Sequence, residues 1–268
     1  MQERNAGSMA AVPDVGRRAI LLASLRMHRA PVWWQEIAII VVFNLMYERL
    51  RNLVPDHETQ AVGRGLQVLH LTENWHIDFE LSVNQFFASH AYLAQFGNYY
   101  YSFLNIPVTS GVLIWLFVKR KQVYRSARTV LATTTLFALC GFWLVPMAPP
   151  RLLNVGFVDT LVQFKTAGGW SSDSVAAVSN QFAAMPSLHC AWALWCGLTV
   201  FNLAKSSAVR IAALTYPLMT FIVVIGTANH FALDGVAGAA VLALAYGLHR
   251  SLFGRSAYEP APLKPDLT

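Results

Sequence analysis

The chain has 268 residues and a net charge of +6, with 55% hydrophobic residues and only 13% charged ones. Ordinary soluble domains carry about 25% charged residues, so this composition excludes a typical soluble globule and points to a membrane protein. Its basic residues sit at the ends of apolar runs instead of among exposed aromatics, which argues against nucleic-acid binding.

Residues 1–30 hold Arg4, Arg17, Arg18, Arg26 and Arg29 around a short apolar patch, Ala19 to Leu25. That patch is too short to span and lacks a small-residue cleavage site, so a basic surface lead is expected here, not a cleavable signal peptide. A spanning helix needs about 20 mostly apolar residues. Six stretches qualify: 34–53, 99–118, 130–147, 187–203, 211–226 and 231–248. Between the first two, residues 77–96 mix apolar and polar positions as an interfacial helix does. Glu73 and Glu80, in the same connection, are expected to solvate a surface. The loop 152–185 contains Gly168, Gly169 and Trp170 and is long enough to cover a site. The expected fold is therefore all-α: a six-span membrane catalytic domain over 31–250 with an interfacial helix between its first two spans. A proline-rich tail, 251–268, is expected to be disordered.

Basic residues orient these spans. Five lie in the N-terminal lead, five after the second span, Lys205 and Arg210 after the fourth, and Arg250, Arg255 and Lys264 after the sixth. The opposite loops hold only Arg49, Arg51, Arg64, Arg151 and Lys165. The positive-inside rule then puts both termini in the cytoplasm, in a plasma (inner) membrane, and the opposite helix ends outside.

Three segments fall on that outer face. His230 and Asp234 are four residues apart at a helix start, so they share one side. The carboxylate can hold one imidazole nitrogen and present the other to a substrate. Pro186 and Ser187 form a helix start with His189 in the first turn, where free N–H groups attract phosphate. Arg151, behind Pro149 and Pro150, offers a planar fork for phosphate oxygens. Each has a duller reading: a polar pair between helices, an ordinary cap, a snorkelling arginine. Their convergence on one face favours function. Three cysteines, Cys140, Cys190 and Cys196, lie in apolar runs without CxxC spacing. Neither a disulfide nor a thiolate metal site is expected, and no HExxH or clustered-Asp pattern implies a metal or other cofactor.

Ala148-Pro149-Pro150-Arg151, Pro186-Ser187-Leu188-His189 and Asn229-His230 with Asp234 resemble the motifs of the type 2 phosphatidic acid phosphatase superfamily, across roughly 34–248. The resemblance implies that His230 attacks phosphorus and becomes phosphorylated, that Asp234 orients it, and that His189 is the acid and base. Arg151, with Ser187 and Asn229, would bind the phosphate. Phosphatases of the superfamily carry a lysine seven residues before the first-motif arginine and an arginine six before the third-motif histidine. Here those positions are Leu144 and Val224, and Arg151 is followed by Leu152 in place of proline. Together with Ala183-Ala184-Met185 and Thr227-Ala228, this is more similar to the inositol phosphorylceramide synthase-like branch, which moves a phosphorylated headgroup between lipids. The expected partners are a membrane phospholipid donor and a lipid alcohol or water as acceptor, with no nucleic acid and with homo-oligomerisation left open. The alternatives are a lipid phosphate or polyprenyl (di)phosphate phosphatase and a non-catalytic lipid carrier.

Overall fold

The computed structural model describes residues 31–53, 58–166 and 181–261. It is all-α among these residues. In chain order the helices are α1 (Trp33–Asn52), α2 (Glu58–Asn74), α3 (Glu80–Ser89), α4 (Ala91–Phe103) and α5 (Asn105–Lys119). Then follow α6 (Lys121–Leu144), a 3-10 turn (Pro150–Leu152), α7 (Thr160–Phe164), α8 (Leu188–Leu203), α9 (Ser207–Gly226) and α10 (Ala232–Phe253). The basic lead 1–30, the Gly168–Asp173 part of the expected covering loop and the end of the tail lie outside the described residues.

Among the described residues, three helices are long and apolar enough to cross a membrane: α6, α9 and α10. A fourth crossing exists if α4 and α5 count as one span bent by 48°. The sequence reads 99–118 as one span, and the structure breaks the helix at Leu104. Pro107 explains the break, because it has no N–H to donate and its ring crowds the carbonyl four residues back. Helix α8 is apolar but has only 16 residues, a length of about 24 Å. It is covered mainly by protein: it packs against α5, α6, α9 and α10, with Trp195 fully buried and its indole N–H donating to the Ala127 carbonyl at 3.1 Å. Helix α1 carries Glu36, Glu48, Arg49 and Arg51 and is not among the three. Many of its apolar residues face outward, Leu45 at 61% exposure, while buried Glu36 joins it to α6 through Arg125 and Arg128.

The helices meet closely where side chains are absent. Gly197 of α8 faces Pro217 of α9, where a Cβ would lie 2.8 Å from the Ala213 carbonyl oxygen. Gly238 of α10 approaches the start of α8, where a Cβ would lie 2.5 Å from the Ser187 carbonyl oxygen. This second contact holds two motif-bearing helices in register.

The predicted interfacial segment 77–96 is two helices, α3 and part of α4, separated at His90. Their asparagines reach inward. Asn84 accepts from the Val158 N–H at 2.8 Å and donates to the Val158 and Gly226 carbonyls. Asn98 donates to the Thr160 carbonyl and accepts from its hydroxyl at 2.7 Å. The loop after Arg151 is thereby pinned to α3 and α4. Glu73 meets the surface expectation, exposed and 3.0 Å from His70, but Glu80 does not: it is 1% exposed. Residues 254–261 of the tail lie against the bundle. Ala261 N–H donates to the Gln122 carbonyl at 3.1 Å, Arg255 donates to the Ser126 hydroxyl, and Ala257 is buried against α6. A carbonyl and a hydroxyl of α6, on Gln122 and Ser126, thus accept hydrogen bonds from this stretch.

Candidate active site

The site is built from helix ends. Helix α9 closes at Gly226, and the next residues wrap back on it: Thr227 N–H donates to Val223, and both Asn229 and His230 N–H donate to the Val224 carbonyl. The wrap requires Ala228 in the left-handed region, φ 54°, an uncommon conformation for a residue with a side chain. Ala228 is buried, and its carbonyl accepts from the Arg151 N–H at 3.0 Å. The turn before His230 is thus joined to the segment that carries Arg151.

His230 precedes α10 and is 5% exposed; Asp234 sits in that helix's first turn and is fully buried. Asp234 Oδ2 accepts from the Phe231 N–H at 2.9 Å and lies 3.3 Å from His230 Nδ1. A carboxylate only accepts, so the proton belongs on Nδ1 and Nε2 is left with a free lone pair. The fixed backbone bond aims the carboxylate, and the carboxylate in turn fixes the imidazole's tautomer.

His189 lies in the first turn of α8. Its ring stacks on Tyr101 at 4.3 Å between centroids and stands 6.0 Å from the His230 ring. Ser187 is the N-cap of α8: its hydroxyl oxygen accepts from the Cys190 N–H at 3.3 Å, and its own N–H donates to the Asp234 carbonyl at 2.9 Å. Ser187 is completely buried. Its side chain orders the helix start, and the first-turn N–H groups are what α8 offers to an anion.

Arg151 Nε donates to Asn229 Oδ1 at 3.1 Å, and its terminal nitrogen donates to Asp159 Oδ2 at 3.0 Å. Asp159 is the N-cap of α7, its other oxygen accepting from Leu161 and Val162 N–H. Asn229 is buried and also donates to the Thr227 hydroxyl at 2.9 Å. The six residues read from the sequence therefore come from the ends of four helices and meet at one end of the bundle.

Four further residues border the site and have no signature in the sequence. Asp159 pairs Arg151, and Tyr101 of α4 stacks on His189. Glu80 accepts from the N–H of Ala232, the first residue of α10, at 3.2 Å. Burial raises the Glu80 carboxyl above the ordinary carboxylate range, with smaller pushes from Asp78 and Asp234. The fourth is Arg51 of α1, which lines the same cavity as both histidines. That cavity, about 630 Å³, runs between α1, α5, α6 and α8 with apolar walls such as Phe43, Ile106 and Leu136. Such a volume is within the range of small-molecule sites. Among the described residues no group of three or more His, Cys, Asp or Glu side chains is placed to hold a metal ion.

Two imidazoles, one of them oriented by a carboxylate, face a common space beside a paired guanidinium. Phosphorus held between them can be attacked from one side while a proton is delivered on the other. The profile of the PAP2 superfamily matches residues 66–248, and the chain belongs to this superfamily. No curated protein and no solved structure matches it. Members of the superfamily are phosphatases and phosphotransferases. With the apolar helices, membership makes this an integral membrane protein. All six sequence-read residues fall inside the matched region, and α1 falls outside it.

Proposed function

We propose that the protein is a membrane phosphotransferase that moves a phosphorylated headgroup from one lipid to another through a phospho-histidine intermediate. His230 Nε2 attacks the donor's phosphorus, and the bond from phosphorus to the diacylglycerol oxygen breaks. His189 gives that oxygen its proton. The headgroup phosphate then sits on His230 while the neutral diacylglycerol departs into the bilayer. In the second half, His189 takes the proton of an incoming lipid hydroxyl, whose oxygen displaces His230. Asp234 holds the tautomer and stabilises the charge that develops on the ring. Arg151, held in place by Asn229, binds the non-bridging oxygens.

The observation that carries this reading is the oriented His230–Asp234 pair with a second imidazole 6.0 Å away, both rings lining one cavity. Transfer of a diester is favoured over hydrolysis of a monoester by the surroundings. Leu144 is 74% exposed at the end of α6, and Val224 is buried among Cys190 and Ile225. Neither position gives the extra cation that a doubly charged monoester calls for. The apolar cavity beside His189 gives a long-chain alcohol a sideways approach. This supports the inositol phosphorylceramide synthase-like branch.

In this reading the chain crosses the membrane six times, with α1, the bent α4–α5 pair, α6, α8, α9 and α10. Both termini are cytoplasmic, in a plasma (inner) membrane, and the site faces outward. The assay is a headgroup-labelled phospholipid given to the purified protein with and without long-chain alcohols. Label should move to the alcohol. Full-rate phosphate release from a phosphomonoester lipid, indifferent to alcohol, would instead make the protein a phosphatase.

A further inference from the structure

Arg151 reaches the site already paired with Asp159, and the two positions where phosphatases of the superfamily carry further cations hold leucine and valine. A transferring phosphoryl group develops charge that fixed cations must meet. Helix α1 offers one. Arg51 lies in its last turn, half-buried, and lines the cavity together with His189 and His230. It is near enough for its charge to act on the His189 ring and on Tyr101. Tyr47 and Glu48, one turn earlier, share the same wall, as residues three and four apart on a helix do. Arg49, two residues away, points out to the surface. Arg151 approaches from the loop side and is not part of this wall.

We propose that Arg51 is a phosphate-binding residue, holding the non-bridging oxygens of the lipid donor from the cavity side while Arg151 holds them from the loop side. The guanidinium fork suits this geometry in a way a lysine does not. Helix α1 is then part of the active site although it lies outside the superfamily match. The inference rests on the reading of the site as one for phosphoester chemistry.

The test uses the full-length protein in lipid nanodiscs with orthovanadate as the phosphate analogue. Affinity is measured by calorimetry for wild type, Arg51→Gln, Arg51→Lys and the surface control Arg49→Gln. Loss of a charge-assisted hydrogen bond should weaken binding by about tenfold or more in Arg51→Gln. Arg51→Lys should fall between, and Arg49→Gln should match wild type. With headgroup-labelled phospholipid, Arg51→Gln should raise KM more than it lowers kcat. If Arg51→Gln fails to fold, the Lys variant carries the test, because it keeps the charge and loses the fork. Equal vanadate affinity in wild type and the Arg51 variants overturns the proposal, as does no binding by wild type. Should wild type turn over the labelled lipid while Arg51→Gln keeps its KM and affinity, Arg51's role falls and the transferase reading stands. Absence of turnover on any lipid phosphoester removes the reading itself.

Discussion

At the scale of single residues, the chemistry depends on where protons sit. The Phe231 N–H holds Asp234 Oδ2 in place, and that oxygen holds His230 Nδ1. Replacing Asp234 with Asn keeps the shape but lets the side chain donate, which favours the wrong imidazole tautomer. Turnover should drop by about 10²–10⁴-fold in Asp234→Asn, and by at least as much in His230→Ala and His189→Ala. Lipid-transfer assays on folded variants check this, and near-wild-type turnover in any of the three would contradict its role. Glu80 gives a different prediction. Its raised pKa means that the folded protein holds the proton more tightly than the unfolded chain does. Its share of stability is complete below the unfolded carboxylate range and is lost as pH rises through the folded pKa. Glutamine keeps an acceptor for the Ala232 N–H without that dependence. Thermal unfolding of Glu80→Gln should therefore match wild type in acid and exceed it increasingly towards neutral pH. Identical melting curves at every pH would contradict the account.

At the scale of elements, the motifs that the sequence reveals are those whose meaning is local. Pro186 and Ser187 mark a helix start whatever surrounds them, and a spacing of four puts His230 and Asp234 on one side of any helix. Arg151 reads as a candidate phosphate ligand from its guanidinium fork and from the motif it resembles. Tyr101 and Glu80 are illegible for a physical reason: each touches a residue far along the chain, His189 and Ala232 respectively, while Asp159 meets Arg151 only because the loop between them folds back. The bend at Leu104 has a local cause in Pro107, yet hydropathy averages over it and reads one continuous span. Close approach between elements is likewise visible only once they are packed. Gly238→Ala drives a Cβ into the Ser187 carbonyl, so α8 and α10 must separate. Overpacking of this kind costs roughly 1–3 kcal/mol. The variant should melt lower and lose turnover by shifting His189 relative to His230; an unchanged melting temperature and rate would show that the contact is slack.

At the scale of the whole molecule, four helix ends and the loop beneath Asn84 and Asn98 converge at one end of the bundle. Buried Glu36 with Arg125 and Arg128 ties α1 to α6 near the other end. The proposed orientation places the catalytic end outside the cell. A cysteine introduced at exposed Val155, in a Cys140→Ser background, should react with a membrane-impermeant maleimide in intact cells. Labelling only after permeabilisation would reverse the orientation. The central claim is that phosphate passes through His230, and the most direct measurement looks for it there. The protein is mixed with headgroup-labelled phospholipid without acceptor, quenched in alkali, where phosphohistidine survives, and mapped by mass spectrometry. The account predicts the headgroup phosphate on His230, absent in His230→Ala and discharged when a long-chain alcohol is added before the quench. Label on another residue, or turnover with no label on His230 under any acceptor-free condition, would contradict it.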